Sequence, residues 1–169
     1  MRVGVYAGSF DPMTNGHMWM VRKGAALFDR LIVAVGTNPD KRWVYSVADR
    51  VRLLKACTES FPNVAVTSFQ NRYLVDFARE VGAQYILRGI RNEGDYAYER
   101  GMRYINADLA PEVTTVFLMP PREMAEISSS FVRGLIGPEG WEQVVCQYVP
   151  EPVLQFLLSQ TRSMPAASH

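Results

Sequence analysis

Val3-Gly4-Val5-Tyr6-Ala7, followed by Gly8-Ser9-Phe10-Asp11-Pro12-Met13-Thr14-Asn15-Gly16-His17, reads as a buried strand, a glycine-bearing turn and the first turn of a helix. Backbone N–H groups in such a turn, backed by the positive end of a helix, favour an anion. Gly8 and Gly16 permit close approach or unusual dihedrals, and Pro12 fixes one φ. The loop is not a Walker A sequence, which needs lysine and then Ser or Thr after its last glycine, nor a G-x-G-x-x-G turn. Asp11 and Thr14 are expected to hold its shape through side-chain to backbone hydrogen bonds. His17 sets an imidazole at the helix start, where it either caps the helix or meets a bound phosphate.

Outward from this stretch, short apolar runs alternate with helical patterns. Strands are predicted at Val3–Ala7, Leu31–Val35, Val64–Thr67, Tyr85–Leu87 and Val113–Leu118. Continuous apolar runs such as Leu31-Ile32-Val33-Ala34-Val35 suit parallel strands covered on both faces. Between them, apolar residues recur at helical spacing: Met18, Val21, Ala25 and Phe28; Val47, Val51 and Leu54; Leu74, Phe77, Ala78 and Val81; Tyr98, Met102, Ile105 and Leu109. The last of these faces fits burial within the chain or against a second subunit. Ser46 is a candidate cap for the second helix. Further helices are predicted over Ser129–Ile136 and Pro152–Gln160. The pattern specifies an α/β fold: a doubly wound, five-stranded parallel sheet with appended C-terminal helices and a ligand at the carboxyl ends of the strands.

The 169 residues suit one domain, 1–162, with a small polar tail at 163–169 expected to fray. A net charge of +1 with 48% hydrophobic residues gives no support to a general nucleic-acid surface. No run is long and apolar enough for a bilayer, and the immediate entry into a strand leaves no room for a signal peptide. Cys57 and Cys146 form no C-x-x-C pair, which reads as a reducing, cytoplasmic setting. With His17 and His169 the only histidines, a histidine-rich metal site is not expected.

Three more segments follow predicted strands or open a helix. Asn38-Pro39-Asp40-Lys41-Arg42 carries adjacent cations that either grip a phosphate or form a solvated surface. In Leu87-Arg88-Gly89-Ile90-Arg91, the arginines can offer planar donors to anionic oxygens, or form salt bridges to Asp95 or Glu99. In Ile127-Ser128-Ser129-Ser130-Phe131-Val132-Arg133, three hydroxyls open a helix, more than a cap requires, so anion binding is expected beside plain capping. Together these elements would neutralise a triphosphate plus a second phosphate.

The loop and the serine run together resemble the nucleotidyltransferase superfamily with a (T/H)-x-G-H motif and a Rossmann-like fold. Thr14, and Arg88 to Arg91 with Asp95-Tyr96-Ala97-Tyr98-Glu99, narrow the resemblance to the bacterial phosphopantetheine adenylyltransferase family, from Met1 to about Arg162. That resemblance implies transfer of AMP from ATP to 4′-phosphopantetheine. It implies that His17 binds ATP and stabilises the transition state, and that Ser9, Lys41, Leu74 and Arg88 line the phosphopantetheine pocket. ATP contacts are implied for Ser9, Phe10, Gly89, Ile90, Arg91 and Glu99, and for Met124, Ala125, Glu126, Ile127, Ser128, Ser129 and Ser130. The resemblance further implies magnesium, a homohexamer and inhibition by coenzyme A. Glu126 would repel a triphosphate if it pointed inward, so its side chain is expected to face away. The competing readings are a sister enzyme that adenylylates nicotinate mononucleotide and a nucleotide sensor without turnover.

Overall fold

A computed structural model describes residues 1–38 and 42–163. Its strands are β1 (Val3–Gly8), β2 (Arg30–Thr37), β3 (Val64–Gln70), β4 (Tyr85–Gly89) and β5 (Thr114–Leu118). The helices are α1 (Asn15–Leu27), α2 (Val47–Thr58), α3 (Leu74–Glu80), α4 (Glu93–Leu109), α5 (Arg122–Ala125), α6 (Ser129–Leu135), α7 (Trp141–Val145) and α8 (Glu151–Ser163). All strand pairs are parallel, in the order β3-β2-β1-β4-β5. This is the doubly wound Rossmann-like arrangement, and its strand order reverses direction at β1. Connections leaving neighbouring strands to opposite sides open a crevice there, at the carboxyl ends of β1 and β4.

The continuous apolar runs are buried on both faces because helices cover both. On one face, Tyr6, Leu31, Val33, Val35 and Leu87 join Met18 and Val21 of α1, Leu53 and Leu54 of α2, and Val153, Phe156 and Leu157 of α8. On the other, Val3, Val5, Ala7, Ile32 and Ile86 join Val75, Phe77 and Ala78 of α3. Each fully buried Val, Leu or Ile contributes roughly 1.5–3 kcal/mol over its exposed state. Ser46 caps α2, its hydroxyl accepting from Asp49 N–H at 3.1 Å.

Two departures from the sequence reading concern helices. The four- and five-residue helices α5 and α7 are too short to show a period, and neither was expected. On α4 the polarity is inverted: Tyr98, Ile105 and Leu109 are exposed, while Glu99 and Asn106 are buried. Glu99 is drawn inward by Arg88, so electrostatics at the crevice overrides the apolar period within one chain. The expected frayed tail lies outside the described residues from Met164 onward, and α8 reaches Ser163.

Candidate active site

The loop after β1 is built around Thr14 and His17. Thr14 is the N-cap of α1, and its backbone N–H donates to His17 Nδ1 at 3.0 Å. An imidazole nitrogen that accepts a backbone proton carries none itself, so the neutral ring holds its proton on Nε2. Capping and ligand contact are therefore compatible: Nδ1 serves the helix, and Nε2–H remains as a donor. Burial, with the nearby Arg91 charge, pushes the His17 pKa down to about 4, so the ring is uncharged at neutral pH.

That shift has a stability consequence. Between about pH 6.5 and 4 the unfolded chain takes up the proton while the folded chain resists it. The contribution is complete above pH 6.5 and is lost as pH falls through this window. Urea unfolding at pH 7 and pH 5 is expected to show about 1–2 kcal/mol more acid destabilisation in the native chain than in His17→Asn. Equal pH dependence in the two proteins would contradict the neutral, half-buried imidazole.

Asp11 fastens this loop to the segment before α2. It is 4% exposed, and its carboxylate accepts Val44 N–H and Tyr45 N–H, both at 2.9 Å. From α2, the buried Arg50 reaches beneath the loop and donates from Nη1 to Ser9 O at 2.9 Å, while its guanidinium lies over the Trp43 ring at 4.9 Å. Gly16 lets α1 approach the 124–127 turn, because a Cβ there would stand 3.2 Å from Ile127 O. Phe10 is 1% exposed and has φ of 48°, a left-handed conformation costly for a side-chain-bearing residue. Its ring packs edge-on against His17 at 5.1 Å.

Arg88, near the end of β4, and Arg91, just after it, each hold a carboxylate from α4. Arg88 donates from Nε to Glu99 Oε1 at 2.9 Å, and its Nη2 contacts the same oxygen. Its Nη1 donates to Ala7 O at 2.8 Å, which locks the guanidinium across the ends of β1 and β4. A guanidinium has five N–H donors, so after these contacts Arg88 still has N–H groups for an anion. Burial lowers its pKa, but the Glu99 hydrogen bond and charge outweigh that and hold it above the ordinary range. Arg91 binds Asp95 through Nε at 2.8 Å and Nη2 at 3.2 Å, and this pairing raises its pKa. The sequence posed anion binding and salt bridging as alternatives. The salt bridges orient the forks and leave both arginines on the cleft wall.

In the serine run, Ser128 caps α6 by accepting Phe131 N–H at 3.1 Å. Ser129 donates to Pro12 O at 2.7 Å, tying α6 to the loop, and the Ser128 and Ser130 hydroxyls are 3.1 Å apart. Arg133 donates from Nη1 to Asp11 O and so braces the same loop.

These elements enclose a cleft of about 520 Å³. Of the predicted residues, Ser9, His17, Arg88, Gly89, Arg91, Glu99, Met124, Ile127, Ser128, Ser129 and Ser130 line it. Phe10 and Ile90 are buried beneath it, and Ile90 N–H is spent on Leu118 O. Ala125 and Glu126 lie off the cleft wall; Glu126 is exposed and its charge is felt by Arg91. Leu74 lines an adjoining cleft of about 230 Å³ with Arg88, Glu99, Tyr98, Met102 and Asn106, and it also packs on the α3-side core. Lys41 lies outside the described residues.

Tyr6, Trp43, Tyr98 and Pro120 also line the main cleft, unanticipated from sequence. Arg42, for which the sequence left open a phosphate grip or a solvated surface, lines it as well. Tyr6 and Trp43 carried a signal, as large aromatics beside the two strand-end loops, but their strand and loop settings explained them equally well. Among the described residues no group of three or more His, Cys, Asp and Glu gathers as a metal cage. A neutral donor, several oriented guanidiniums and a ring of hydroxyls can grip phosphoryl oxygens and stabilise charge on them.

The cytidylyltransferase-like family model matches residues 5–135. A phosphopantetheine adenylyltransferase of Chromobacterium violaceum is 60% identical over 159 residues, covering 94% of this chain and 97% of that protein. One from Neisseria meningitidis serogroup C is 58% identical over 159 residues, covering 94% of each. A Plasmodium falciparum nicotinic acid mononucleotide adenylyltransferase complexed with NaAD superposes with a TM-score of 0.69 over 96% of both chains. At 12% identity, that likeness is one of fold.

Proposed function

The chain belongs to the cytidylyltransferase-like family and, within it, to the phosphopantetheine adenylyltransferases, and from that premise we propose how its cleft transfers AMP from ATP to 4′-phosphopantetheine. The products are dephospho-CoA and pyrophosphate, in the penultimate step of coenzyme A biosynthesis. The observation that carries the reading is the meeting of His17, Arg88, Arg91 and the Ser128–Ser130 turn in one cleft.

At neutral pH the phosphopantetheine phosphate is mostly dianionic, its second pKa being roughly 6. It is already a nucleophile and needs no general base. One of its oxygens bonds to the α-phosphorus of ATP as the bond to the bridging α,β-oxygen breaks, and pyrophosphate departs with that electron pair. The work left for the protein is to align two anions and to stabilise charge at the α-phosphorus. In this reading His17 donates from Nε2 to an α-phosphate oxygen. Arg88, with Ser9 and Lys41, orients the attacking phosphate, and Leu74 borders the pantetheine arm. Arg91 and the hydroxyl pair of Ser128 and Ser130 hold the phosphates of ATP, while Gly89 and the Met124–Ile127 turn border the nucleotide.

Magnesium fits here as an ion borne by ATP. Asp11, Asp95 and Glu99 accept from backbone N–H groups or arginines, which leaves phosphate oxygens, water and the Ser128 and Ser130 hydroxyls as donors for a hard cation. When bound, it supplies charge neutralisation on the triphosphate.

The exposed Tyr98, Ile105 and Leu109 on α4 support assembly with other copies, as a homohexamer. Among the described residues no helix is long and apolar enough to cross a membrane, and Cys57 and Cys146 are free thiols; cytoplasmic location is in keeping with both. Coenzyme A, which repeats the adenylate and pantetheine parts of the product, is proposed as a feedback inhibitor at the same cleft.

Incubation with ATP, magnesium and phosphopantetheine is expected to yield dephospho-CoA and pyrophosphate in equal amounts by mass detection. ATP binding without pyrophosphate release, or product from nicotinate mononucleotide in its place, would overturn the assignment. Arg88→Lys keeps a cation for Glu99 but loses the planar fork. It is expected to raise KM for phosphopantetheine about tenfold while changing ATP affinity less than about threefold. Equal losses for both substrates would reject this division of labour.

A further inference from the structure

Tyr6 stands on β1 in register with Val33 and Leu87, one residue before Arg88 on the neighbouring strand. Its ring is part of the α1-side core, and the residue is only 7% exposed. It packs edge-on against Phe10 at 5.5 Å, and Phe10 packs in turn against His17. The hydroxyl makes no hydrogen bond with any described residue. It is not sealed off, however, because the only fully buried side-chain polar atom without a partner among the described residues is Arg50 Nη2. Tyr6 lines the main cleft together with His17, Arg88 and Arg91. A phenylalanine would fill this part of the core equally well and would spare the cost of an unpaired hydroxyl. The polar end of the ring is therefore left facing the space into which the two arginines and the imidazole point their donors.

We propose that the Tyr6 hydroxyl is a further hydrogen-bond donor to substrate, contacting a phosphoryl oxygen where the two substrates meet. The proposal rests on the adenylyl-transfer reading and adds a contact to it. Burial raises the phenol pKa well above its ordinary value, against the smaller opposing pull of Arg88 and Arg91, so the group keeps its proton and acts as a donor. The hydroxyl faces the cleft, and a charged phosphoryl oxygen is the stronger kind of hydrogen-bond partner for it.

Tyr6→Phe removes the oxygen and keeps the ring. Steady-state transfer with ATP and phosphopantetheine is to be measured on both proteins, with ATP affinity by calorimetry in the absence of acceptor and thermal melting as a check on packing. The expected result is a roughly tenfold fall in kcat/KM for at least one substrate, with a melting temperature within about 2 °C of the native chain. A fall confined to KM makes the contact equal in ground and transition states, whereas a fall in kcat makes it stronger in the transition state; either result supports the proposal. Unchanged kcat/KM for both substrates overturns it. So does a loss accompanied by a large drop in melting temperature, which would assign the hydroxyl a role in folding. If the native chain itself makes no dephospho-CoA, the adenylyl-transfer reading falls as well, whereas equal turnover by both proteins removes only the Tyr6 contact.

Discussion

His17→Ala is expected to lower kcat by at least about 10²-fold while leaving ATP affinity within a few-fold of the native value. The size follows from what Nε2–H does in the proposed reaction. It is a preorganised donor aimed at an oxygen that gains charge only as the α-phosphorus becomes five-coordinate, so its loss falls on the transition state. Alanine also removes the acceptor for Thr14 N–H, at a cost of about 0.5–2 kcal/mol in helix capping. His17→Asn separates the two effects. Its short side chain can still accept at the cap but does not extend to the place of Nε2. We expect it to regain most of the stability and little of the turnover. Near-normal kcat in either variant would refute the role given to the imidazole.

Asp11→Ala is expected to produce the largest loss of stability of any change in the loop, about 3–5 kcal/mol by urea unfolding. The carboxylate is nearly inaccessible and satisfies the N–H groups of Val44 and Tyr45. Arg133 Nη1 lies 4.0 Å from it, and its charge is also felt at Arg50. Its removal orphans two backbone donors and leaves cationic groups without their counter-charge. The segment carrying Arg42 and Trp43 is then released from the cleft, so turnover should fall with stability. Asp11→Asn, with one good acceptor and no charge, should lie between. An alanine variant that unfolds within about 1 kcal/mol of the native chain would show that this fastening is dispensable.

Much of this was legible in the chain because the decisive signals are local. A run such as Leu31–Val35 is readable as a strand from five consecutive residues, and Thr14 to His17 from a single helical turn. The five strands appear where the apolar runs stand, with the ends of β1, β2, β3 and β4 extended by one to three residues. What was hidden depends on partners distant in sequence. The burial of Arg50 is one case, since its guanidinium reaches back 41 residues to Ser9 O. The apolar period on α4 fitted burial within the chain or against a second subunit, and within this chain Arg88 draws the opposite side inward through Glu99. The serine run holds more hydroxyls than a cap needs. One of the surplus pair ties α6 to Pro12 O, across 117 residues of sequence.

His17 shows how the two levels of reading combine. Sequence left capping and phosphate contact as rivals, and the geometry of the ring commits only Nδ1 to the cap, so Nε2–H is left as the donor that the proposed phosphate contact uses.

The central claim is a single direct displacement at the α-phosphorus with no nucleotide bound covalently to the enzyme. Transfer from a single P-chiral diastereomer of adenosine 5′-O-(1-thiotriphosphate) to phosphopantetheine tests it, with the configuration at phosphorus read in the dephospho-CoA thio-analogue. One in-line attack predicts inversion; retention would require an adenylylated enzyme and would contradict the account.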